Sequence, residues 1–162
     1  MIELNNATVT ITGGTGSFGK TMVHDLLASG VAAINILSRD EAKQDDMRKA
    51  LSDPRVKVAI RDVGAMIREA AGSFDAILLD VDNGPDGLTR PDNDGLYSDA
   101  GLRSARRALA PGGVLAVWSA TPSQAFPPRL SRCGFDVVTH AIRAGRGKRG
   151  NRHTIWIAVK SG

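Results

Sequence analysis

The sequence is poor in the residues that build disulfide scaffolds, membrane spans and stacking platforms for bases. Cys133 is its one cysteine, and Phe, Trp and Tyr together make up 4% of its 162 residues. A single cysteine excludes an intrachain disulfide and a cysteine-built metal site, so we expect it to act as a small buried hydrophobe. No apolar run approaches the roughly 20 residues of a membrane span, so no membrane-spanning helix is expected.

Length and composition indicate an ordinary globular domain. Apolar and charged residues account for 42% and 23% of the chain, and 162 residues suit one domain with a real core. The start of the chain, MIELNN, lacks the basic residues and the apolar stretch of a secretory signal, so a cytoplasmic location is expected. The histidines, His24, His140 and His153, fall in different predicted elements, and no metal site is expected.

The net charge of +4 does not by itself indicate a nucleic-acid partner, because the basic residues are spread over most of the chain. The one dense cluster is RAGRGKRGNR at residues 143–152, which lies between two β-like runs and is rich in glycine. We interpret it as the exposed tip of a hairpin. Since no aromatic residues alternate with these charges, nucleic-acid binding is not expected.

Apolar periodicity and turn residues divide the chain into alternating strands and helices. Strands are predicted at 7–12, 33–38, 56–60, 74–80, 114–119, 135–142 and 153–160. Helices are predicted at 20–28, 41–51, 65–71, 98–109 and about 123–133, with a stop at Pro111-Gly112-Gly113. Such alternation is typical of a doubly wound, mostly parallel α/β sheet.

The end of the chain refines this prediction. The last two strands are joined by about ten residues, which leaves no room for a crossover helix, so they must pair antiparallel. Five parallel strands followed by an antiparallel hairpin are typical of a methyltransferase-like sheet. We therefore expect a single Rossmann-like domain over residues 1–162, a three-layer sandwich with seven strands in its sheet.

Two phosphate-binding patterns overlap in ITGGTGSFGKT at residues 11–21. Gly14-x-Gly16-x-x-Gly19 is the dinucleotide fingerprint, whereas Gly14-x-x-x-x-Gly19-Lys20-Thr21 satisfies the Walker A pattern of nucleoside triphosphatases. In the second pattern Lys20 would contact the β and γ phosphates and Thr21 would hold magnesium. A P-loop nucleotide binder is therefore a minor alternative.

The loop and the segment LSRDEAKQ at 37–44 together resemble extended short-chain dehydrogenases, specifically the sugar-nucleotide 4,6-dehydratases of polysaccharide biosynthesis. The resemblance covers about residues 1–50. It implies that the pyrophosphate of a dinucleotide lies on the loop and on the N-terminus of the following helix, where free N–H groups and the helix dipole favour an anion. The cofactor-binding residues expected there are Gly13, Gly14, Thr15, Gly16, Ser17, Phe18 and Gly19.

The end of the second strand distinguishes NAD from NADP in this fold. Here Ser38, Arg39 and Lys43 can surround a 2′-phosphate, although Asp40 carries the opposite charge. NADP(H) is therefore the expected cofactor. The alternative that Arg39 and Lys43 are solvated charges at the start of a helix stays open.

Residues 53–160 resemble a different family. The segments DPRVKVAIRDV, FDAILLDVDNGPDGL, LAPGGVLAVWSA, CGFDV and RHTIWIAV are similar to spermidine-synthase-like proteins of the class I S-adenosylmethionine-dependent methyltransferase superfamily. Basic-residue usage changes at the same place, from four Lys and three Arg in residues 1–60 to two Lys and twelve Arg in residues 61–162. We infer a hybrid, engineered or recombined within residues 45–62, of a dehydratase-like segment (residues 1–50) and a methyltransferase-like segment (residues 53–162). One divergent natural protein is the alternative.

Neither resemblance implies a complete active site. Short-chain dehydrogenases use a Tyr-x-x-x-Lys pair, but the one tyrosine, Tyr97, is followed four residues later by Gly101. The methyltransferase-like segment lacks its own S-adenosyl-binding loop. What remains is Asp80, which in the resembled family lies beside the reacting amine and can orient or deprotonate it. Asp82 and Asp86 can assist, with turn formation as the open alternative.

Asp62 and Val63 follow the third strand, where both resembled families hold adenine by an acidic side chain and a backbone N–H. Arg61 stands where dehydratases usually have glycine and could crowd the base. The sequence as a whole leads us to expect a domain that binds a small-molecule nucleotide cofactor, NADP(H), without efficient turnover. The alternatives are a transferase that uses S-adenosylmethionine and a scaffold that binds nothing.

Overall fold

The computed structural model describes residues 4–13, 17–37, 52–59, 61–81, 84–86, 95–143 and 152–162. Its strands are β1 (Thr8–Thr12), β2 (Ala33–Leu37), β3 (Val56–Ala59), β4 (Phe74–Leu79), β5 (Leu109–Ser119), β6 (Phe135–Arg143) and β7 (Arg152–Lys160). Its helices are α1 (Ser17–Ala28), α2 (Val63–Glu69), α3 (Asp99–Ala108) and α4 (Phe126–Arg132). The helix predicted at 41–51 lies outside the described residues.

The seven strands form one sheet in the order β3-β2-β1-β4-β5-β7-β6. β1 to β5 are parallel to one another, whereas β7 runs antiparallel to both β5 and β6. This order confirms the predicted fold, a Rossmann-like α/β domain with a seven-stranded sheet that ends in an antiparallel hairpin.

Alternation along β4 divides the core into two clusters on opposite faces of the sheet. One cluster contains Ala76 and packs against α1, and the other contains Ile77 and Leu79 and packs against α2, α3 and α4. The aliphatic cluster consists of Ala7, Val9, Ile11, Val23, Leu26, Val31, Ile34, Ile36 and Ala76. The aromatic cluster is built around Phe74, Tyr97, Phe126, Phe135 and Trp156. The result is three layers.

Helix α4 begins at Phe126, three residues later than the pattern predicts. Pro127 and Pro128 have no backbone N–H to donate, so they fit only in the first turn of a helix. Upstream of them, the hydroxyl of Ser123 accepts a bond from the N–H of Phe126 at 3.3 Å. The prolines therefore decide where the helix begins.

Strand β5 begins before the glycines that predict a stop. Phe74 pairs with Leu109 and Ala76 pairs with Val114, so residues 110–113 bulge opposite one residue of β4. Gly112 supplies the positive φ of 71° in this bulge. The Pro-Gly-Gly stretch therefore interrupts the pairing without ending the strand.

Within the described residues, no helix is both long and apolar enough to cross a membrane.

Candidate functional site at the carboxyl edge of the sheet

The close approach of β1 and β4 defines the centre of the site. Gly13 follows β1 with a φ of +71°, and a Cβ placed on it would collide with the backbone carbonyl oxygen of Asp80. Both the positive φ and the contact require glycine. The first glycine of the expected cofactor loop therefore lies directly against the residue that ends β4.

Hydrogen bonds hold this corner to the strands on both sides. The Thr12 hydroxyl donates to the carbonyl of Leu78 at 3.1 Å and accepts from the N–H of Asp80 at 3.2 Å. On the other side, the N–H of Gly13 donates to the carbonyl of Leu37 at 3.1 Å. Thr12 was missed by sequence reasoning. Its signal is the alternation in TVTIT, which puts a threonine at the end of β1.

Helix α1 begins at Ser17, immediately after the loop, and Gly19 is buried in its first turn. An α-helix of 12 residues presents free N–H groups and a positive dipole end at this point. Several predicted cofactor residues fall outside the described region of the chain, namely Gly14, Thr15, Gly16, Ser38, Arg39, Asp40 and Lys43, and so does Asp82. The same holds for the side chains of Ser17, Phe18 and Lys20.

Asp80 carries the most perturbed carboxyl group of the site. Burial raises its pKa to about 6, because the charged form is poorly solvated there. The residue borders a cavity of about 300 Å³ on the α1 side of the sheet. The cavity is otherwise apolar, with Met22, Leu26, Leu78, Trp118, Ile155 and Ile157 among its lining. A carboxyl group of this kind can take up or release a proton near neutral pH.

Asp62 caps helix α2. Its Oδ1 accepts from the N–H of Ala65 at 2.7 Å, and Arg68 lies 3.8 Å from the same oxygen. No partner of Oδ2 occurs among the described residues, and the side chain is 56% exposed. Val63 packs partly buried against the aromatic cluster. The carboxylate therefore has a structural task and still has one oxygen available for a ligand.

A cavity of about 250 Å³ lies beside Asp62, between α2 and α3. Its lining includes Asp62, Gly64, Arg68, Gly95, Ser98 and Gly101. The volume is below the usual range of drug-sized ligand sites and suits a single ring system. Sequence reasoning missed Gly95 and Ser98 here. The signal available in the sequence was the glycine at position 101. The structure gives its reason, because a Cβ on Gly101 would collide with the carbonyl of Gly95.

Arg61 is oriented along α2. Its guanidinium bonds the Glu69 carboxylate at 3.1 Å, and both side chains are more than half exposed. An exposed pair of this kind contributes little to stability. The contact nevertheless gives Arg61 a partner other than an adenine ring.

Tyr97 and the segment after β4 have structural contacts. The Tyr97 hydroxyl donates to the carbonyl of Val81 at 2.9 Å, and its ring lies edge-on to Phe126 at 6.0 Å. Gly84, with a φ of +93°, packs so closely on Ser119 that a side chain would not fit. Asp86, two residues further on, is exposed.

The structure thus brings Gly13 and Asp80 together, while Asp62 belongs to a separate cavity.

In sequence and in fold, this chain is similar to two different groups of known proteins. Residues 9–78 match the family model described as polysaccharide biosynthesis protein. A UDP-glucose 4-epimerase of Rickettsia rickettsii (strain Sheila Smith) is 52% identical over 60 residues, covering 35% of this chain and 18% of the epimerase. The chain thus spans under a fifth of that relative's length.

The solved structures that resemble the whole fold are of another kind. Spermidine synthase from Thermotoga maritima has a TM-score of 0.67 at 19% identity, covering 97% of this chain and 54% of that one. Precorrin-6y C5,15-methyltransferase from Geobacter metallireducens GS-15 has a TM-score of 0.65 at 16% identity, with 97% and 81% covered. The beginning of the chain is similar in sequence to one group of proteins, and the whole chain is similar in fold to another.

The extent of the family match is informative in itself. It begins in β1 and ends in β4, so it covers the carboxyl-edge corner formed by Thr12, Gly13 and Leu78. It also extends past residue 53, into the segment in which the second resemblance is expected. The two resemblances therefore overlap along β3 and β4.

Proposed function

We propose that this protein is a hybrid Rossmann-like domain that binds NADP(H) at the carboxyl edge of its sheet and does not turn it over efficiently. The observation that carries the proposal is the geometry of Gly13 at the end of β1, inside the segment that matches a polysaccharide biosynthesis family. A glycine that lets the backbone approach its neighbour, followed by a helix N-terminus, is how this fold receives a pyrophosphate.

The choice of NADP rests on the residues that follow β2. The bond from Gly13 to Leu37 ties the end of β2 to the start of the loop. Ser38 and Arg39 come next in the chain, and Lys43 follows four residues after Arg39. Guanidinium and ammonium groups at this strand end are suited to a 2′-phosphate, because they match its charge and donate hydrogen bonds.

The contacts of Tyr97 support the proposed lack of efficient turnover. Its hydroxyl is committed to the carbonyl of Val81, and its side chain is 1% exposed. Gly101 stands where a lysine would be needed to lower the pKa of such a tyrosine. Nucleotide binding is therefore proposed without proton transfer by a Tyr-Lys pair.

The second candidate is a transferase that uses S-adenosylmethionine. The observation that favours it is Asp80, a partly buried carboxyl group with a pKa raised to about 6 at the end of β4 in a methyltransferase-like sheet. Such a group can orient or deprotonate an amine. The proposal for NADP(H) is preferred because basic residues at 39 and 43 have no phosphate to bind in a sulfonium cofactor.

The hybrid origin is supported by the two different resemblances of the chain. The family match in sequence covers residues 9–78, whereas the likeness in fold covers nearly the whole chain. The aliphatic cluster contains residues mainly from the dehydratase-like segment, whereas the buried aromatic residues belong to the methyltransferase-like one. We propose that two parents were joined by engineering or recombination.

Calorimetric titration with NADPH, NADH, ATP and S-adenosylmethionine tests the proposal. We expect heat with NADPH, less with NADH and none with ATP or S-adenosylmethionine. Binding of S-adenosylmethionine without NADPH would support the transferase, and binding of ATP with magnesium alone would support the P-loop alternative. Absence of heat with all four compounds would support the alternative of a scaffold that binds none of them.

Replacing Arg39 by Ala tests the 2′-phosphate assignment. A guanidinium that bonds this phosphate should contribute on the order of tenfold or more to NADPH affinity and little to NADH affinity. Arg103→Ala is the matched control, because it removes an exposed charge on α3. Equal losses for the two cofactors would remove the assignment.

Two variants of Asp62 separate adenine binding from helix capping. Asp62→Asn keeps a good N-cap but removes the charge, whereas Asp62→Ala removes both. If Asp62 holds the adenine amino group, Asp62→Asn should weaken NADPH binding while the melting temperature stays close to that of the wild type. A loss of affinity that appears only in Asp62→Ala would assign the residue to capping alone.

A further inference from the structure

The two edge strands of the sheet differ in how they are protected. β3 has four residues, VKVA, and places Lys57 on an exposed position. β6 has nine residues, FDVVTHAIR, without lysine or proline. Its register with β7 is continuous from Phe135 to Arg143, with no bulge. Short length, charged side chains, proline and bulges are the usual means of preventing an edge strand from pairing with another chain. β6 has charged residues only near its ends, at Asp136 and Arg143, and it has no lysine, proline or bulge.

The middle of β6 is exposed to solvent. Val138 is 56% exposed, and no other large hydrophobic residue is exposed in the part of the chain that the structure describes. Asp136, Thr139, His140 and Ala141 are exposed as well. No described strand pairs with the outer edge of β6. The centre of this strand therefore combines unpaired backbone groups with an exposed apolar side chain.

The register with β7 identifies which residues of β6 share a face. Asp136, Val138 and His140 pair with Val159, Ile157 and Ile155 respectively. Ile155 and Ile157 line the apolar cavity on the α1 side of the sheet. The three β6 residues consequently extend the α1-side face to the edge of the sheet.

We propose that β6 pairs antiparallel with β6 of a second copy of this chain, about a two-fold axis that passes through Val138 and is perpendicular to the sheet. The two sheets would then continue into one. Such an axis keeps the same face on the same side in both copies, so residues of equal parity face each other. An isologous contact of this kind is closed, since each copy uses the same strand.

Pairing of hydrogen-bond donors with acceptors, and of apolar with apolar side chains, selects this register. With Val138 at the centre, Val138 faces Val138 of the second copy, and Asp136 faces His140 on both sides of the axis. Moving the axis to Thr139 places Val138 opposite His140 and Asp136 opposite Ile142. Moving it to His140 places the two imidazoles against each other. Hydrogen-bonded and apolar cross-strand pairs stabilise a ladder. Of these axes, only the one at Val138 places the Asp136 carboxylate opposite an imidazole that can donate to it and Val138 opposite an apolar side chain.

The interface is small. One strand pair buries less than the 1,200 Å² or so of a stable interface, so we expect a reversible dimer with a dissociation constant on the order of 10 to 100 μM. Sedimentation velocity over a concentration series should show the mass rising from monomer to dimer. A monomer at concentrations tenfold above this range would overturn the proposal, and so would continued growth beyond a dimer.

Val138→Lys should raise the dissociation constant at least about tenfold, because it places two ammonium groups together at the axis. The residue is exposed, so the fold should persist, and a melting curve checks this. Ala141→Lys is the matched control on the same strand, where the side chain would face Phe135 of the second copy on the other face. Equal effects of the two substitutions would contradict the register.

Disulfide trapping tests the register in a second way. In a Cys133→Ala background, Val138→Cys should form a covalent dimer under mild oxidation, because directly opposite Cα atoms lie about 4.5 to 5.5 Å apart. Ala141→Cys should not, since its two copies would be six residues apart along the strands, about 20 Å. Cross-linking at 141 without cross-linking at 138 would exclude the proposed axis.

An exchange of the two residues completes the test. Asp136→Lys should weaken the dimer about threefold to tenfold, since it replaces the acceptor opposite His140 by a group that only donates. The double variant Asp136→His with His140→Asp restores an acceptor opposite a donor and should return the dissociation constant to within about twofold of the wild type. Failure of the double variant to recover, with folding intact, would show that these two residues do not face each other.

Discussion

The two core clusters on the faces of this sheet are built from different side chains. The aliphatic cluster around β1, β2 and α1 contains no aromatic residue among its described members. In the aromatic cluster around β4, β5 and β7, the ring centroid of Phe126 lies 4.9 Å from that of Trp156 and 6.0 Å from that of Tyr97. Aromatic side chains bury more area each, and this cluster is covered by three helices, whereas the aliphatic cluster is covered by α1. One face of the sheet is therefore packed by aliphatic side chains, and the other is packed by aliphatic and aromatic ones together.

Two strand pairings join β1 and β2 to the strands that follow them in the chain, and we call these pairings the seams. β1 pairs with β4, and β2 pairs with β3. The first seam has specific polar contacts besides its ladder, from Thr12 to Leu78 and Asp80, and from the N–H of Thr8 to the Asp75 carboxylate at 2.8 Å. The first seam is therefore held by side-chain hydrogen bonds as well as by the backbone ladder.

The largest expected effect contrasts the clusters directly. Phe126→Ala should lower the free energy of unfolding by about 3 to 5 kcal/mol, because it leaves a large void between Tyr97 and Trp156. Leu26→Ala in the aliphatic cluster should cost only about 2 kcal/mol, since Leu26 already borders the 300 Å³ cavity. Urea denaturation measures both. Equal losses would mean that the aromatic cluster has no greater share of the stability.

The corner at the first seam should be the next most sensitive position. Gly13→Ala should cost about 3 kcal/mol, because a Cβ there collides with Asp80 in addition to the unfavourable φ of +71°. Gly112→Ala is a close control, with the same φ and no atom within 4 Å of the added Cβ. It should cost about 1 kcal/mol. Similar losses in urea would show that the contact with Asp80 is unimportant.

A smaller effect is expected from the Thr12 hydroxyl. Thr12→Val keeps the shape but removes two bonds across the first seam, at 3.1 and 3.2 Å, and should cost about 1 to 3 kcal/mol. Thr10→Val, on the same strand, removes only a 3.5 Å contact from Asn35 and should cost less than about 1 kcal/mol. A reversed order in chemical denaturation would contradict the importance given to the seam.

The smallest effect concerns pH. The folded pKa of Asp80, about 6, exceeds the ordinary value of 3.8. The unfolded chain therefore loses this proton first, and the stability associated with Asp80 is full below about pH 4 and declines as the pH rises through 6. Asp80→Asn should raise the unfolding free energy by about 1 to 2 kcal/mol at pH 7.5, allowing for partial solvation, with no difference at pH 3.5. Melting curves at both pH values measure this, and a difference that persists at low pH would assign the effect to packing.

The order and type of the elements were predictable because each follows from local patterns. FDAILLD predicts a buried strand, and the short closing connection requires an antiparallel hairpin. Errors occurred where a longer-range contact overrides the pattern. The Pro-Gly-Gly stretch predicts a stop, but pairing of Leu109 with Phe74 starts β5 before it. The start of α4 was misjudged because two prolines were not weighed against the helical periodicity.

The candidate site was predictable in part. Glycine spacing identified the loop after β1, and strand ends identified Asp62 and Asp80 as edge residues. The Thr12 bridge between strands has no spacing rule in the chain, because Thr12 and Leu78 are 66 residues apart and meet only across the sheet. The Asp62 cap is local, since its partner is the N–H of Ala65, and an aspartate ahead of a helix is a signal that could have predicted it.

By itself, the sequence determined the fold class, the antiparallel ending and the glycine loop, because hydrophobic period, turn residues and backbone freedom are local properties of the chain. Only the tertiary structure decided that Gly13 lies on the carbonyl of Asp80, that the pKa of this carboxyl is raised, and that β6 has an exposed apolar centre. Close contact, desolvation and exposure are relations between distant segments. They exist only once the strands are placed side by side.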